Sequence, residues 1–357
     1  MPNRNLSNTL TRTAVGLGGA GLAGATVGAA VLAWGWQRWQ QKRRPDWSGK
    51  VVLVTGGSRG LGFAIAREFA ACGARVAIAA RDPDELHRAH AKLAAHASGS
   101  DAVVHFASDL RAPAAPAALL ASVREHWGRV DVLVHNAGVM QLGPWDQMTD
   151  ADFSEAMDVH FWAALRLARA VLPEMIARGS GRIVNISSIG GLLAVPHMLP
   201  YTTSKFALVG LSQGLASEVR RHGVRVTCVC PFLTRTGSQE RVRIRGQHAQ
   251  EYAWFATSGS LPGLSQSAAH VARTIVRIAE RGPAQVTLAL PGKLAALAHG
   301  VSPAAVTTLL AQVDRFLPQP QAGTGAEARS GRESYSPFTV RLVRPLVHRA
   351  GSKLNQT

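Results

Sequence analysis

Residues 50–62 constrain this chain more than any other stretch. Lys50-Val51-Val52-Leu53-Val54 runs into Thr55-Gly56-Gly57-Ser58-Arg59-Gly60-Leu61-Gly62. The apolar run ends in a glycine-rich turn, and the turn opens into residues 63–70, where apolar residues recur at helical spacing. That is strand, turn and helix. In this context glycines let the backbone approach a pyrophosphate, and the first N–H groups of the helix are unpaired and face it. A glycine-rich turn alone is an ordinary βα connection. The full Thr-Gly-x-x-x-Gly-x-Gly spacing between a strand and a helix points to dinucleotide binding, with Thr55, Gly56, Ser58, Arg59, Gly60, Leu61 and Gly62 around the ligand.

From Lys50 onward strand and helix patterns alternate, which implies βαβ units and a parallel sheet. Strands are predicted at 51–55, 75–80, 102–107, 130–135, 182–187, 224–230 and 285–289. Helices are predicted at 60–72, 83–96, 115–127, 150–178, 201–222, 266–281 and 302–315. Seven strands in this rhythm make one α/β domain with a doubly wound parallel sheet, spanning 48–317 of the 357 residues, and need no second domain. Residues 232–263 break the rhythm at the carboxyl edge of the sheet, where an insertion covers a ligand crevice. They carry Arg235, Arg241, Arg243 and Arg245 with Tyr252, Trp254 and Phe255, so they read as a substrate lid, or else as a solvated helix with an apolar face.

The two ends differ in composition from the domain. Residues 14–36 hold no charged side chain and are long enough to cross a bilayer. Gly24 and Gly28 form a small-xxx-small pair, and Trp34, Trp36 and Trp39 lie at the end that leads to Arg38, Lys42, Arg43 and Arg44. The basic flank places the following domain in the cytoplasm, anchored to a membrane by residues 1–47. A cleaved signal peptide would carry its charge before the apolar core rather than after it; a disordered Gly/Ala leader is the other bland alternative. Residues 318–357 are rich in Pro, Gly, Ser and Gln and read as a flexible, basic tail.

The net charge of +17 would suit nucleic acid, but no nucleic-acid motif accompanies it. Much of it sits at the two ends, which suits an anionic membrane surface better. Cys72, Cys228 and Cys230 form neither a metal spacing nor a disulfide framework, and read as buried reduced thiols.

Three further stretches carry chemistry. Asp131-Val132-Leu133-Val134-His135-Asn136-Ala137-Gly138 is a buried strand ending in a polar turn. Gly181-Arg182-Ile183-Val184-Asn185-Ile186-Ser187-Ser188 ends in two hydroxyls at the carboxyl edge. Tyr201-Thr202-Thr203-Ser204-Lys205 opens a helix and puts a phenol and an ammonium four residues apart on one face. A free phenol, with pKa near 10, is a poor base at neutral pH, and a neighbouring cation favours its phenolate. A Tyr so tuned can give a proton to a carbonyl oxygen or take one from an alcohol, while a nearby Ser hydroxyl polarises the same oxygen.

With these stretches in this order and spacing, residues 48–290 resemble the short-chain dehydrogenase/reductase family. The resemblance implies a seven-stranded Rossmann fold, a nicotinamide cofactor, and hydride transfer between a carbonyl and an alcohol carbon. It makes Tyr201 the general acid/base and has Lys205 lower its pKa while binding the nicotinamide ribose. Ser188 matches the catalytic serine, with Ser187 its neighbour. Asn136 matches the Asn beside the cofactor, and Asp109-Leu110 the adenine contact. Such domains often associate through the long helices, here 150–178 and 201–222.

Two positions depart from the family. His160 stands where the middle helix has an Asn supporting a water-mediated relay to the Lys; imidazole can hold a water or shuttle a proton, or it merely packs there. Phe232 follows Pro231 where the family has Gly and is expected to reshape the nicotinamide end; Thr236, with Thr234 as rival, then matches the cofactor-contacting Thr. Cofactor choice is legible as well. NAD-specific members end the second strand in an acid, but here Ala80 is followed by Arg81, and Arg59 lies in the turn, so two guanidinium groups can meet a 2′-phosphate and the cofactor is NADP. The expected substrate is an apolar carbonyl or alcohol. The competing class is a catalytically silent dinucleotide-binding scaffold or redox sensor, against which Ser188, Tyr201 and Lys205 speak.

Overall fold

Val51, Val52, Leu53 and Val54 are all buried, because the strand they form has a layer of helices on each face. In this computed structural model, which describes residues 45–97, 99, 101–260, 265–319 and 327–356, that strand lies in a seven-stranded parallel sheet. The strands are β1 (Val51–Thr55), β2 (Arg75–Ala80), β3 (Val103–Ala107), β4 (Val132–His135), β5 (Gly181–Ile186), β6 (Val224–Cys230) and β7 (Gln285–Thr287). Their order across the sheet is β7-β6-β5-β4-β1-β2-β3. Val52 and Val54 face one half-core, with Phe63, Ile65, Val271 and Ile275, while Val51 and Leu53 face the other, with Leu120, Val123, Leu167 and Val171. The two-residue side-chain period of a strand divides them in this way.

The helices are α1 (Gly60–Ala70), α2 (Pro83–Ala94), α3 (Ala115–Trp127), α4 (Asp150–Met157), α5 (Ala163–Ala177), α6 (Leu199–Val219), α7 (His248–Ser260), α8 (Ala268–Arg281), α9 (Leu290–Val301), α10 (Pro303–Asp314) and α11 (Arg344–Ser352). Between α4 and α5 the helix widens into a π turn, Asp158–Trp162, where the sequence predicts one uninterrupted helix. The extra residue of such a turn is invisible to a 3.6-residue pattern and often marks a functional position. Helix α9 was not foreseen either, since Leu290-Pro291-Gly292 reads as a turn although Pro suits the first helical positions. β1 pairs with both β2 and β4 (Val52 with Val76 and with Val132), so the chain reverses its direction of winding at the carboxyl ends of β1 and β4. A doubly wound sheet holds its ligand at that crevice.

The described part of residues 232–263 forms α7 and two short strands, of which Arg243–Ile244 pairs with Gln141–Leu142 and with Arg329–Ser330. The last pairing corrects the expectation of a flexible tail. The described part of that segment, residues 327–356, folds back onto the catalytic body, with Val343, Val347 and Leu354 buried. Its bulk composition is loop-like, but these few apolar residues are spaced to reach existing apolar clusters, and average composition does not register spacing. Residues 14–36, where a membrane helix is predicted, lie outside the described residues. Among the described residues no helix is long and apolar enough to cross a membrane.

Candidate active site

The glycine turn is braced from the neighbouring strand. Thr55 Oγ1 accepts hydrogen bonds from the N–H groups of Asn136 (3.1 Å) and Ala137 (3.2 Å), and Asn136 Nδ2 donates to the carbonyls of Thr55 and Gly56, both at 3.2 Å. Asn136 therefore fixes the turn between β1 and α1. Gly56 has φ 63°, and a Cβ there would lie 2.8 Å from Ala137 Cα; a Cβ on Gly62 would run into the Gly56 carbonyl. Arg59, the residue before α1, caps no N–H of the helix with its side chain. Closely approachable backbone at a helix N-terminus fits the diphosphate of a dinucleotide.

Glu85 lies beside this turn, and nothing in its local sequence singles it out beyond its place in the first turn of α2. It is buried and accepts from Ser58 Oγ (3.2 Å), Arg59 Nη1 (2.7 Å) and Arg241 Nη2 (2.6 Å). Burial draws the Arg59 guanidinium below its ordinary value, and Glu85 opposes that. Arg241, read from sequence only as part of the lid, thus reaches Glu85 beside the glycine turn. Arg81 is exposed at the end of β2 and joins no ion pair among the described residues. Asp109 accepts from Arg111 Nε at 3.0 Å, and that hydrogen bond holds its carboxyl below the usual range. Leu110 is buried in the second half-core.

Ser188, Tyr201 and Lys205 come together where β5 meets α6. Tyr201 and Lys205 lie one helical turn apart, with Lys205 Nζ 5.6 Å from the centre of the phenol ring. Ser188 and Tyr201 flank one spot: a Cβ on Gly190 would lie 3.4 Å from Tyr201 Cε1 and 3.6 Å from Ser188 Oγ. Lys205 Nζ donates to the Ile186 carbonyl at 2.9 Å, and Ser187 Oγ donates to the Lys205 carbonyl at 3.1 Å, which pins α6 to the end of β5. Burial raises the Tyr201 phenol and a hydrogen bond with Ser188 counters it; burial lowers the Lys205 ammonium to about 8.

His160 projects from the π turn into a closed network. Its Nε2 accepts from the Val139 N–H at 3.2 Å, so the ring proton belongs on Nδ1, which donates to Ser204 Oγ at 2.7 Å. Ser204 Oγ in turn donates to the Tyr201 carbonyl at 2.8 Å. Burial and the Lys205 charge pull the imidazole well below its ordinary pKa, so it is neutral at pH 7. Both ring nitrogens are committed away from Lys205, in the manner of a positioning group. His135, also missed in the sequence, is buried beside Thr55, and burial lowers its pKa to about 3.

After β6, Thr236 Oγ1 and Ser238 Oγ lie 2.7 Å apart, while Thr234 Oγ1 donates to the Phe232 carbonyl at 2.9 Å. Phe232 turns toward α9, its Cδ2 3.3 Å from where a Cβ on Gly292 would stand. Tyr201 also packs on an apolar cluster that includes Leu142, Met198 and Tyr252, with Trp254 and Phe255 from α7. Cys72, Cys228 and Cys230 are all buried and none is in a disulfide.

Residues 50–245 match the family model described as short chain dehydrogenase. The chain belongs to the short-chain dehydrogenase family. It is similar to the oxidoreductase UcpA of Escherichia coli (strain K12), 39% identical over 196 residues, which cover 55% of this chain and 73% of the relative. Among solved structures it resembles an L-sorbose reductase from Gluconobacter frateurii complexed with NADPH and L-sorbose. That likeness has a TM-score of 0.62 and 29% identity, and covers 69% of this chain and 97% of the reductase. A metagenomic short-chain oxidoreductase in complex with NADP matches with a TM-score of 0.56 and 33% identity, over 68% of this chain and 97% of that one. The seven-stranded Rossmann architecture and an NAD(P)-dependent oxidoreductase activity follow from membership of this short-chain dehydrogenase family.

Proposed function

We propose that the chain interconverts a carbonyl and a secondary alcohol with NADP as cofactor. The observation that carries this reading is the convergence of Ser188, Tyr201 and Lys205 at the carboxyl edge, next to the braced glycine turn. A bound nicotinamide dinucleotide supplies or takes up the hydride. Tyr201 gives a proton to the substrate oxygen during reduction, or takes it during oxidation. Ser188 Oγ donates a hydrogen bond to the same oxygen and holds it against the phenol. The Lys205 ammonium, one turn away, lowers the cost of the phenolate. His160 and Ser204 fix the main chain at Tyr201 and so the ring's approach.

Preference for NADP is supported by Ala80 in place of an acid, by the guanidinium groups of Arg59, Arg81 and Arg241 around this end of the site, and by the NADPH and NADP named with the two solved relatives. Asp109 and Leu110 are assigned to the adenine end, and Thr236, with Thr234 as its rival, to a further cofactor contact. An apolar substrate is supported by the apolar cluster of Leu142, Met198 and Trp254 against which Tyr201 packs, with residues 232–263 serving as its lid. Residues 14–36 would tether the enzyme to a membrane with this domain in the cytoplasm, which fractionation after a carbonate wash tests. Self-association through α5 and α6 is tested by sedimentation. The catalytic assignment is tested with a panel of ketones and alcohols followed by NADPH absorbance. Turnover that survives Tyr201→Phe unchanged would refute it.

A further inference from the structure

Residues 354–356 lie in the glycine turn itself. The N–H of Gly60, which opens α1, donates to the Leu354 carbonyl at 2.9 Å. Asn355 Nδ2 donates to the carbonyls of Ser58 (2.7 Å) and Glu85 (3.1 Å), and its Oδ1 accepts from Lys92 Nζ at 2.8 Å. Gln356 Nε2 donates to the Thr236 carbonyl at 3.0 Å, and a Cβ on Gly60 would stand 3.1 Å from that same nitrogen. The Gln356 amide therefore lies against Gly60 and Thr236, two residues to which the cofactor's contacts are assigned.

The segment is delivered there by built structure. Arg329–Ser330 pairs with Arg243–Ile244, Tyr335 Oη donates to Glu240 at 2.6 Å, and Val347 packs in the lid cluster. Gly351 fits closely against Gly237, where a Cβ would come within 2.7 Å of its Cα. Leu354 then enters the half-core beside α1, and Asn355 takes the left-handed conformation (φ 58°) that Asn tolerates. The groups engaged are those a dinucleotide needs. A peptide carbonyl takes the N–H at the helix N-terminus, where an anion would be favoured, and the Glu85 carboxylate takes the Arg59 and Arg241 guanidinium groups.

We propose that residues 354–356 are a built-in competitor of the dinucleotide, which binds only after this segment leaves the turn. The proposal rests on the cofactor reading above and adds a closed state to it. Apparent affinity then falls by the fraction of molecules with the turn open, so a segment seated nine times in ten weakens binding about tenfold. By linkage, the bound dinucleotide opposes reseating of the segment to the same extent.

The test compares the full chain with the double variant Asn355→Ala and Gln356→Ala, which keeps Leu354 in the core. NADPH and NADH are titrated by nicotinamide fluorescence, and amide exchange of residues 344–356 is followed with and without NADPH. Binding of NADPH about tenfold tighter in the variant, with faster exchange of this segment in the full chain on adding NADPH, supports the proposal. Equal or weaker binding in the variant, or slower exchange, overturns it and leaves the cofactor reading standing. If neither chain binds either dinucleotide, the cofactor reading fails and the proposal falls with it.

Discussion

His160 Nδ1 donates to Ser204 Oγ at 2.7 Å, and through that hydroxyl the imidazole holds the main-chain carbonyl of Tyr201. His160→Ala leaves the Val139 N–H and the Ser204 hydroxyl short of a buried partner, a loss of about 1–3 kcal/mol in unfolding free energy. His160→Asn can keep part of the network and restores the residue usual in the family, so its turnover stays within about threefold of the parent chain. Urea unfolding and initial rates check both. A large rate loss in the Asn variant, with stability intact, would give the imidazole a chemical role.

The same burial makes stability depend on acid. His135 has a folded pKa near 3 and His160 one well below 6.5, whereas both titrate near 6.5 once unfolded. Between those values the unfolded chain binds more protons, so stability is full above about pH 6.5 and falls as pH drops toward 3. Each such His costs up to about 1.4 kcal/mol per pH unit in that window. Unfolding midpoints measured at pH 7, 6 and 5 should decline, and His135→Gln should flatten the slope. A flat profile in the parent chain contradicts the burial argument.

Lys205 follows the same sign at higher pH. Its folded pKa of about 8 lies below the unfolded value of 10.5, so in the dinucleotide-free protein its contribution to stability rises with pH between 8 and 10.5. Lys205→Met removes that rise. It also removes the cation beside Tyr201, and turnover is expected to fall at least about a hundredfold. An undiminished rate would mean that the phenol needs no such neighbour.

The sheet and the catalytic residues were legible because each rests on local pattern: continuous apolar runs for β1, β4, β5 and β6, and a four-residue spacing for Tyr201 and Lys205. Glu85 and Ser204 were not, since each lies in an ordinary helical stretch and gains meaning only from partners 26 and 44 residues away. The seating of residues 354–356 was the least legible of all. It joins positions nearly 300 residues apart, with Asn355 and Ser58 separated by 297, and several of its acceptors are main-chain carbonyls that every residue possesses. Composition marked that region as loop-like, yet Arg344–Ser352 form α11, and composition says nothing about what such a segment is held against.

Glu251 ties α7 to the loop before α6. It is fully buried and accepts from Trp254 Nε1 (2.8 Å) while its other oxygen meets His197 Nδ1 (2.7 Å), and His197 itself holds a positive φ of 61°. Glu251→Ala leaves the buried His197 and the half-buried Trp254 without this partner and releases a strained residue, for a loss of about 3 kcal/mol. Because the released elements border the proposed substrate surface, KM should rise more than kcat falls. Denaturant titration together with substrate titration decides this, and unchanged stability would show that the pairing contributes nothing.

Cofactor discrimination should reside in Arg81 and Arg241 rather than in the glycine turn as a whole. Arg241 reaches from the segment after β6 to Glu85 at 2.6 Å, beside Arg59, while Arg81 stands at the exit of β2, where an acid would have favoured NAD. A 2′-phosphate offers these guanidinium groups a doubly charged partner that NAD lacks. Removing either by Arg81→Ala or Arg241→Ala should weaken NADPH by roughly 1–3 kcal/mol, or about 5- to 150-fold, and leave NADH within about twofold. Glu85→Gln works in the opposite direction, since it removes the internal carboxylate that competes for Arg59 and Arg241. NADPH should then bind more tightly, again with little change for NADH. Paired titrations of the two dinucleotides against the three variants measure the ratio directly. Equal losses for both in the Arg variants would place these side chains on the diphosphate or on the fold, and the preference for NADP would have to be sought elsewhere.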